Sequence, residues 1–250
     1  MTFRIVAGLY LALMTFSSTA NEIQLVGNGG FKLFADYTPS SSNQGTAVGV
    51  LMLHQCNADK SMYHGLAKKL SKAGISSMSL DFRGYGKSVT EEMSIEKLRE
   101  KATSREHYFK MANKIGLGNH RANDVEIAYQ YLRAKLGNAG KIAFIGASCG
   151  GTQAVIAAQK HRPESFIFFS SGINNKNQEL FIEMSDTPAL IIASQDDGNT
   201  FKTANNIFLN AKNKQSRMLA YKGNAHGRPL FKQDKNLEDK MVNWFKLNFQ

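Results

Sequence analysis

Lys141-Ile-Ala-Phe-Ile-Gly-Ala-Ser-Cys-Gly-Gly151 begins as an uninterrupted apolar run, passes through Gly146-Ala-Ser148-Cys-Gly150, and enters an alanine-rich stretch, residues 150 to 161. The apolar part predicts a strand covered on both faces, and the alanine-rich part predicts a helix. A complete G-x-S-x-G at such a junction has a physical reason. The serine stands on a strained strand-to-helix turn, and the residues two before and two after it must be almost side-chain-free for the chains to pass. The helix beneath offers free N–H groups and the positive end of its dipole to a developing oxyanion. The motif alone is common by chance; in this setting it predicts Ser148 as a nucleophile.

Working outward, the chain alternates strand and helix signals. Glu22 to Val26 and Phe31 to Tyr37 flank the turn Gly27-Asn-Gly-Gly30, the pattern of a hairpin with one wet face. Strands are expected at Ala47–Leu53, apolar throughout, and at Ile75–Leu80, Phe166–Phe169, Ala189–Ala193 and Arg217–Tyr221. Helices are expected at Ser61–Lys72, Asp124–Leu136, Phe201–Lys212 and Leu237–Phe249, with a short one over Gln178–Met184. Alternating β and α in one chain implies a mainly parallel sheet with helices on both faces. Chemistry in such sheets lies outside the carboxyl ends of the strands.

A serine hydroxyl needs a base, and the base needs an acid to hold its tautomer. His226, in Lys222-Gly-Asn-Ala-His-Gly227 directly after the last strand, is the candidate base. His54 closes an apolar strand and reads as structural. His64, His107, His120 and His161 fall on expected helices or polar loops, where solvent-facing histidines are usual. The acid is expected after the strand ending at Ala193, where Asp196 and Asp197 stand side by side. Neighbours on an extended segment point oppositely, so one of the two turns toward His226. The order serine, aspartate, histidine differs from the chymotrypsin and subtilisin arrangements.

With these residues in place, the chain resembles the α/β-hydrolase superfamily over nearly all its length, closest to compact dienelactone-hydrolase-like and serine-aminopeptidase-like members. Leu53-His54-Gln55-Cys56 looks like the family's His-Gly-x oxyanion loop, with Gln55 where glycine is usual. Residues 73–88, with Asp81-Phe-Arg83-Gly84-Tyr-Gly86-Lys-Ser88, are similar to the family's structural D-x-R-G-x-G-x-S turn. Ile192-Ala-Ser-Gln-Asp-Asp197 resembles the acid loop, with Ser194 in a glycine's place, and that register points to Asp197. The resemblance implies an eight-stranded, mainly parallel sheet with an N-terminal antiparallel hairpin. It also implies an ester, thioester or related acyl hydrolase working through Ser148, His226 and Asp197, with backbone N–H groups of Cys56 and Cys149 holding the oxyanion. No metal or organic cofactor is implied. A non-catalytic binding module on the same fold, or peptidase or perhydrolase chemistry on the same triad, stand as alternatives.

The two cysteines, Cys56 and Cys149, thereby fall one in each oxyanion loop. Two donors sharing one oxygen at about 3 Å bring their backbones near the ~4.4–6.8 Å Cα window of a disulfide. Proximity follows from the mechanism, whereas bond formation does not, so a bonded pair and two buried thiols both remain open.

Outside the triad, residues 89–119 are rich in charge yet carry Met93, Leu98, Tyr108, Phe109 and Met111. They are expected to form one or two short helices over the site mouth, a short lid that sets acyl selectivity; an ordinary surface connection is the plain alternative. Residues 1–20 have the layout of a secretory signal peptide: Arg4, an apolar run from Ile5 to Phe16, then small residues through Ala20. The mature chain, residues 21–250, is expected to be one domain, secreted and most plausibly periplasmic. Twelve apolar residues fall short of the ~20 that span a bilayer, so no stable membrane insertion is expected.

The composition fits a globular chain, at 42% hydrophobic and 20% charged residues. The formal charge of +11 is spread along the chain with no block of five or six. It is not interleaved with aromatics, which argues against nucleic acid. A small-molecule acyl substrate is the expected partner. H-E-x-x-H, C-x-x-C and Walker A motifs are missing.

Overall fold

A computed structural model describes residues 20–42 and 46–250; the signal-peptide reading thus falls almost entirely outside the described residues. Eight strands form one sheet: β1 Asn21–Val26, β2 Lys32–Thr38, β3 Val48–Leu53, β4 Ser76–Leu80, β5 Lys141–Ala147, β6 Phe166–Phe169, β7 Ala189–Ser194 and β8 Arg217–Tyr221. Their spatial order is β1-β2-β4-β3-β5-β6-β7-β8. β1 and β2 pair antiparallel, β2 joins β4 antiparallel, and every later pairing is parallel. This is the predicted sheet and hairpin.

The helices are α1 His64–Lys72, α2 Ile95–Lys101, α3 Arg105–Lys114, α4 Arg121–Leu136, α5 Cys149–Ala158, α6 Asn175–Glu183, α7 Gly198–Asn210, α8 Leu230–Gln233 and α9 Leu237–Asn248. None among the described residues is long and apolar enough to cross a membrane. The strand period of two divides the core. Leu51, Leu53, Phe144 and Phe168 face one layer, with Val125, Leu132 and Val155 of α4 and α5. Val50, Met52, Ile145 and Phe169 face the other, with Leu66, Leu70, Met241 and Phe245 of α1 and α9.

Several helix starts differ from the sequence reading; those expected at Asp124 and Gln178 lie at Arg121 and Asn175. The helix expected from Ser61 opens as a 3₁₀ turn, Lys60–Tyr63, capped by the Asp59 side chain on the Ser61 amide. The helix expected from Phe201 begins three residues earlier, at Gly198, with Asp197 at its N-cap position. The Asp59 side chain sets the 3₁₀ start, whereas the Asp197 side chain makes no cap hydrogen bond to α7.

The segment after β4 is the tight turn expected of it. Arg83 makes a two-pronged pair with Asp124 of α4, Nε to Oδ2 at 3.0 Å and Nη2 to Oδ1 at 2.8 Å, both side chains buried. Asp81 accepts the Lys60 and Lys87 amides at 2.7 and 2.9 Å. Gly86 has φ +52°, and a Cβ there would run into the Asp81 carboxylate. The turn thus locks β4 to α4 and fixes the base on which residues 89–119 stand.

Candidate active site

Ser148 occupies the turn between β5 and α5 with φ 49° and ψ −117°, a left-handed conformation that a serine adopts only under constraint. The constraint is visible on both sides. A Cβ on Gly146 would lie 2.5 Å from the Gly150 and Gly151 backbone, and one on Gly150 would enter the Leu53 carbonyl. The Ser148 amide donates to Phe169 O at 2.9 Å, tying the turn to β6.

Three side chains from three loops meet there. His226 Nε2 lies 2.9 Å from Ser148 Oγ, and His226 Nδ1 lies 2.6 Å from Asp197 Oδ2. Proton sharing with the carboxylate places the hydrogen on Nδ1 and leaves Nε2 to accept from the hydroxyl. Asp197 is the more enclosed partner, its side chain 16% exposed against 33% for His226. Asp196 is exposed, its amide bonded to Gly223 O at 2.9 Å.

His54 is fully buried and plays a different part. Its Nε2 accepts from the Phe82 amide at 3.0 Å, so the proton sits on Nδ1, which donates to Gln55 O at 2.8 Å. Burial holds its pKa down at about 4, and it stays a neutral strut under the loop. His161 departs from the solvent-facing expectation. It stacks on Tyr129 at 3.7 Å between ring centroids and lies 2.7 Å from Glu126 Oε2, because the C-terminal end of α5 packs on α4.

Cys56 and Cys149 are joined in a disulfide with Cα atoms 5.8 Å apart. Of the two open readings, the structure has the bonded pair. The bond links the loop after β3 to the first residue of α5, and neither cysteine amide has a hydrogen-bond partner among the described residues. Both remain free to donate beside Ser148.

Gln55 and Ser194, the residues that replace family glycines, both reach the histidine loop. Gln55 Oε1 accepts the Arg228 amide at 2.8 Å, while its Nε2 donates to Asn57 Oδ1. Ser194 Oγ donates to Ala225 O at 2.6 Å. Ser170, which no motif singled out, accepts the Gly227 amide at 2.9 Å. Residues 225, 227 and 228 are thus held on both sides of His226. Nothing in the local sequence signalled these three roles, which depend on loops distant along the chain.

Ser148 and His226 line a cavity of about 600 Å³ whose opposite wall comes from the segment between β4 and α4. Of the apolar residues noted there, Tyr108 and Phe109 face the cavity. Leu98 is instead buried in the core, and Met93 and Met111 pack against it; these three anchor α2 and α3 rather than line the site.

A family model described as alpha/beta hydrolase fold matches residues 49–181. The chain belongs to the alpha/beta hydrolase family. Solved structures of a dienelactone hydrolase and of esterases superpose over most of the chain. Dienelactone hydrolase from Anabaena variabilis is 16% identical, covers 93% of this chain and 99% of its own, and gives a TM-score of 0.65. A carboxyl esterase from Bacillus coagulans, 10% identical, covers 92% and 99% at a TM-score of 0.65. An esterase from Exiguobacterium antarcticum, 15% identical, covers 89% and 98% at 0.59. At such identities the likeness speaks for the fold. A search of curated proteins gave no match to the chain.

Proposed function

We propose that this protein is a serine hydrolase of carboxylic esters or related acyl compounds, acting through an acyl-enzyme. The observation that carries the reading is the hydrogen-bonded series Asp197, His226, Ser148 at the floor of an open cavity. His226 Nε2 takes the Ser148 proton as Oγ attacks the carbonyl carbon. The imidazolium that forms is stabilised by Asp197. The Cys149 and Cys56 amides receive the oxyanion. The proton then passes from Nε2 to the leaving alcohol, and a water activated by the same nitrogen releases the acid. The esterases and the dienelactone hydrolase among the structural neighbours are consistent with this chemistry.

Export into an oxidising compartment, a periplasm, belongs to the same proposal. It is supported by the leader-like residues 1–20 and by the pairing of both cysteines. Residues 89–119 act as a short lid in this reading, since α2 and α3 supply the wall opposite the serine.

The test is turnover of p-nitrophenyl butyrate by the wild type and Ser148→Ala. Saturable hydrolysis that is lost in the folded variant supports the reading; equal rates in the two proteins refute it.

A further inference from the structure

The cavity that Ser148 and His226 line also carries three guanidinium groups: Arg99 on α2, Arg105 opening α3 and Arg121 opening α4. No aspartate or glutamate lines the cavity. None of the three arginines enters an ion pair among the described residues, whereas Arg83 and Arg162 each pair with an aspartate. Neutral groups hold them instead. Arg99 Nη2 donates to Cys56 O at 3.1 Å, which fixes it beside the oxyanion loop. Arg121 Nη2 donates to Tyr85 Oη at 3.2 Å, and its guanidinium lies against the Phe82 and Tyr85 rings. Arg105 stands over Phe109 at 5.6 Å. Guanidinium groups kept in place by aromatic and carbonyl partners keep their charge available, and their fork of donors fits a carboxylate or phosphate. In a concave wall of one sign the field is focused on whatever enters.

We propose that the cavity takes esters bearing a negatively charged group, carboxylate or phosphate, with Arg99, Arg105 and Arg121 as its specificity-determining residues. This rests on the serine-hydrolase reading of the same site. The excess of basic residues along the whole chain adds attraction at longer range.

Two pairs of esters test it, one charged on each side of the scissile bond. They are p-nitrophenyl hydrogen adipate with its methyl-capped twin, and 4-butyryloxybenzoate with its methyl ester. At low ionic strength one charged member should exceed its neutral twin in kcat/KM by about ten-fold or more. The advantage should shrink as salt approaches about 0.5 M. In Arg99→Gln/Arg105→Gln/Arg121→Gln, checked for folding by circular dichroism, the ratio should fall toward one. Arg121→Lys should keep part of it. A ratio at or below one for both pairs in the wild type, or a ratio unchanged in the triple variant, overturns the proposal.

If no ester turns over at all, the hydrolase reading fails separately, and calorimetric titration then judges the anion site. Saturable adipate or inorganic phosphate binding that the triple variant loses supports the site and tells which anion it holds. Binding of neither overturns it.

Discussion

The Ser194 hydroxyl donates a 2.6 Å hydrogen bond to the carbonyl oxygen of Ala225, the residue before His226. Ser194 ends the strand that leads to Asp197, so one bond ties the Asp197 loop to the His226 loop. Ser194→Ala leaves the Ala225 carbonyl without this partner, which costs about 1–3 kcal/mol if water does not replace it. It also loosens the 2.6 Å approach of Asp197 to His226. The expected result is a lower kcat with KM little changed, together with a lower denaturation midpoint. Unchanged kcat in the folded variant would show that the loop is held by Ser170 and Gln55 alone.

Asp197→Asn should reduce turnover by on the order of 10⁴, since the amide no longer holds the histidine tautomer. Asp196→Asn, on an exposed carboxylate, should change it little. Steady-state kinetics on the two purified variants decides between them, and the reverse ranking would mean the loop turns the other way in solution.

The disulfide closes a loop of 93 residues between the two segments proposed to hold the oxyanion. Denatured, unreduced protein from an oxidising compartment should titrate no free thiol. The Cys56→Ser/Cys149→Ser variant should lose about 2–4 kcal/mol of stability in urea. It should also turn over more slowly at temperatures where circular dichroism shows it fully folded, because the two donor loops are no longer tied. Wild-type rates in that variant would mean that packing alone aligns the donors.

His54 links stability to pH. The unfolded chain takes up its proton near the ordinary value of 6.5, the folded chain only near 4. Its contribution is therefore complete above pH 6.5 and is lost as pH falls toward 4, about 3 kcal/mol in all. Urea midpoints measured from pH 7.5 to 4.5 should fall accordingly. His54→Gln should start lower at pH 7.5 yet fall less steeply; a parallel slope would assign the acid sensitivity to other groups.

The fold was legible because β3, β5, β6 and β7 are apolar runs covered on both faces, so their sequence needs no partner to be read. The turn at Ser148 was legible for a similar reason: the glycine pattern around it answers to backbone clashes within a few residues. Contacts between distant segments were not legible. Gln55 and Ser194 looked like departures from a glycine pattern. Their side chains acquire partners only when the loop at residues 222–229 folds over them. The start of α7 at Gly198 escaped an apolar-periodicity reading, although it places Asp197 at the N-cap position. His161 gave no sign of Tyr129 and Glu126 one helix away. Arg99, Arg105 and Arg121 lay among many basic residues, and only the helices around them gather the three on one wall.

The central claim is that Ser148 is an activated nucleophile, and covalent labelling by a fluorophosphonate tests it most directly. The account predicts one equivalent of label on Ser148 in the native protein, mapped by peptide mass spectrometry. It also predicts none in Ser148→Ala and much slower labelling in Asp197→Asn. Native, folded protein that remains unlabelled, or carries the label on another residue, would contradict it.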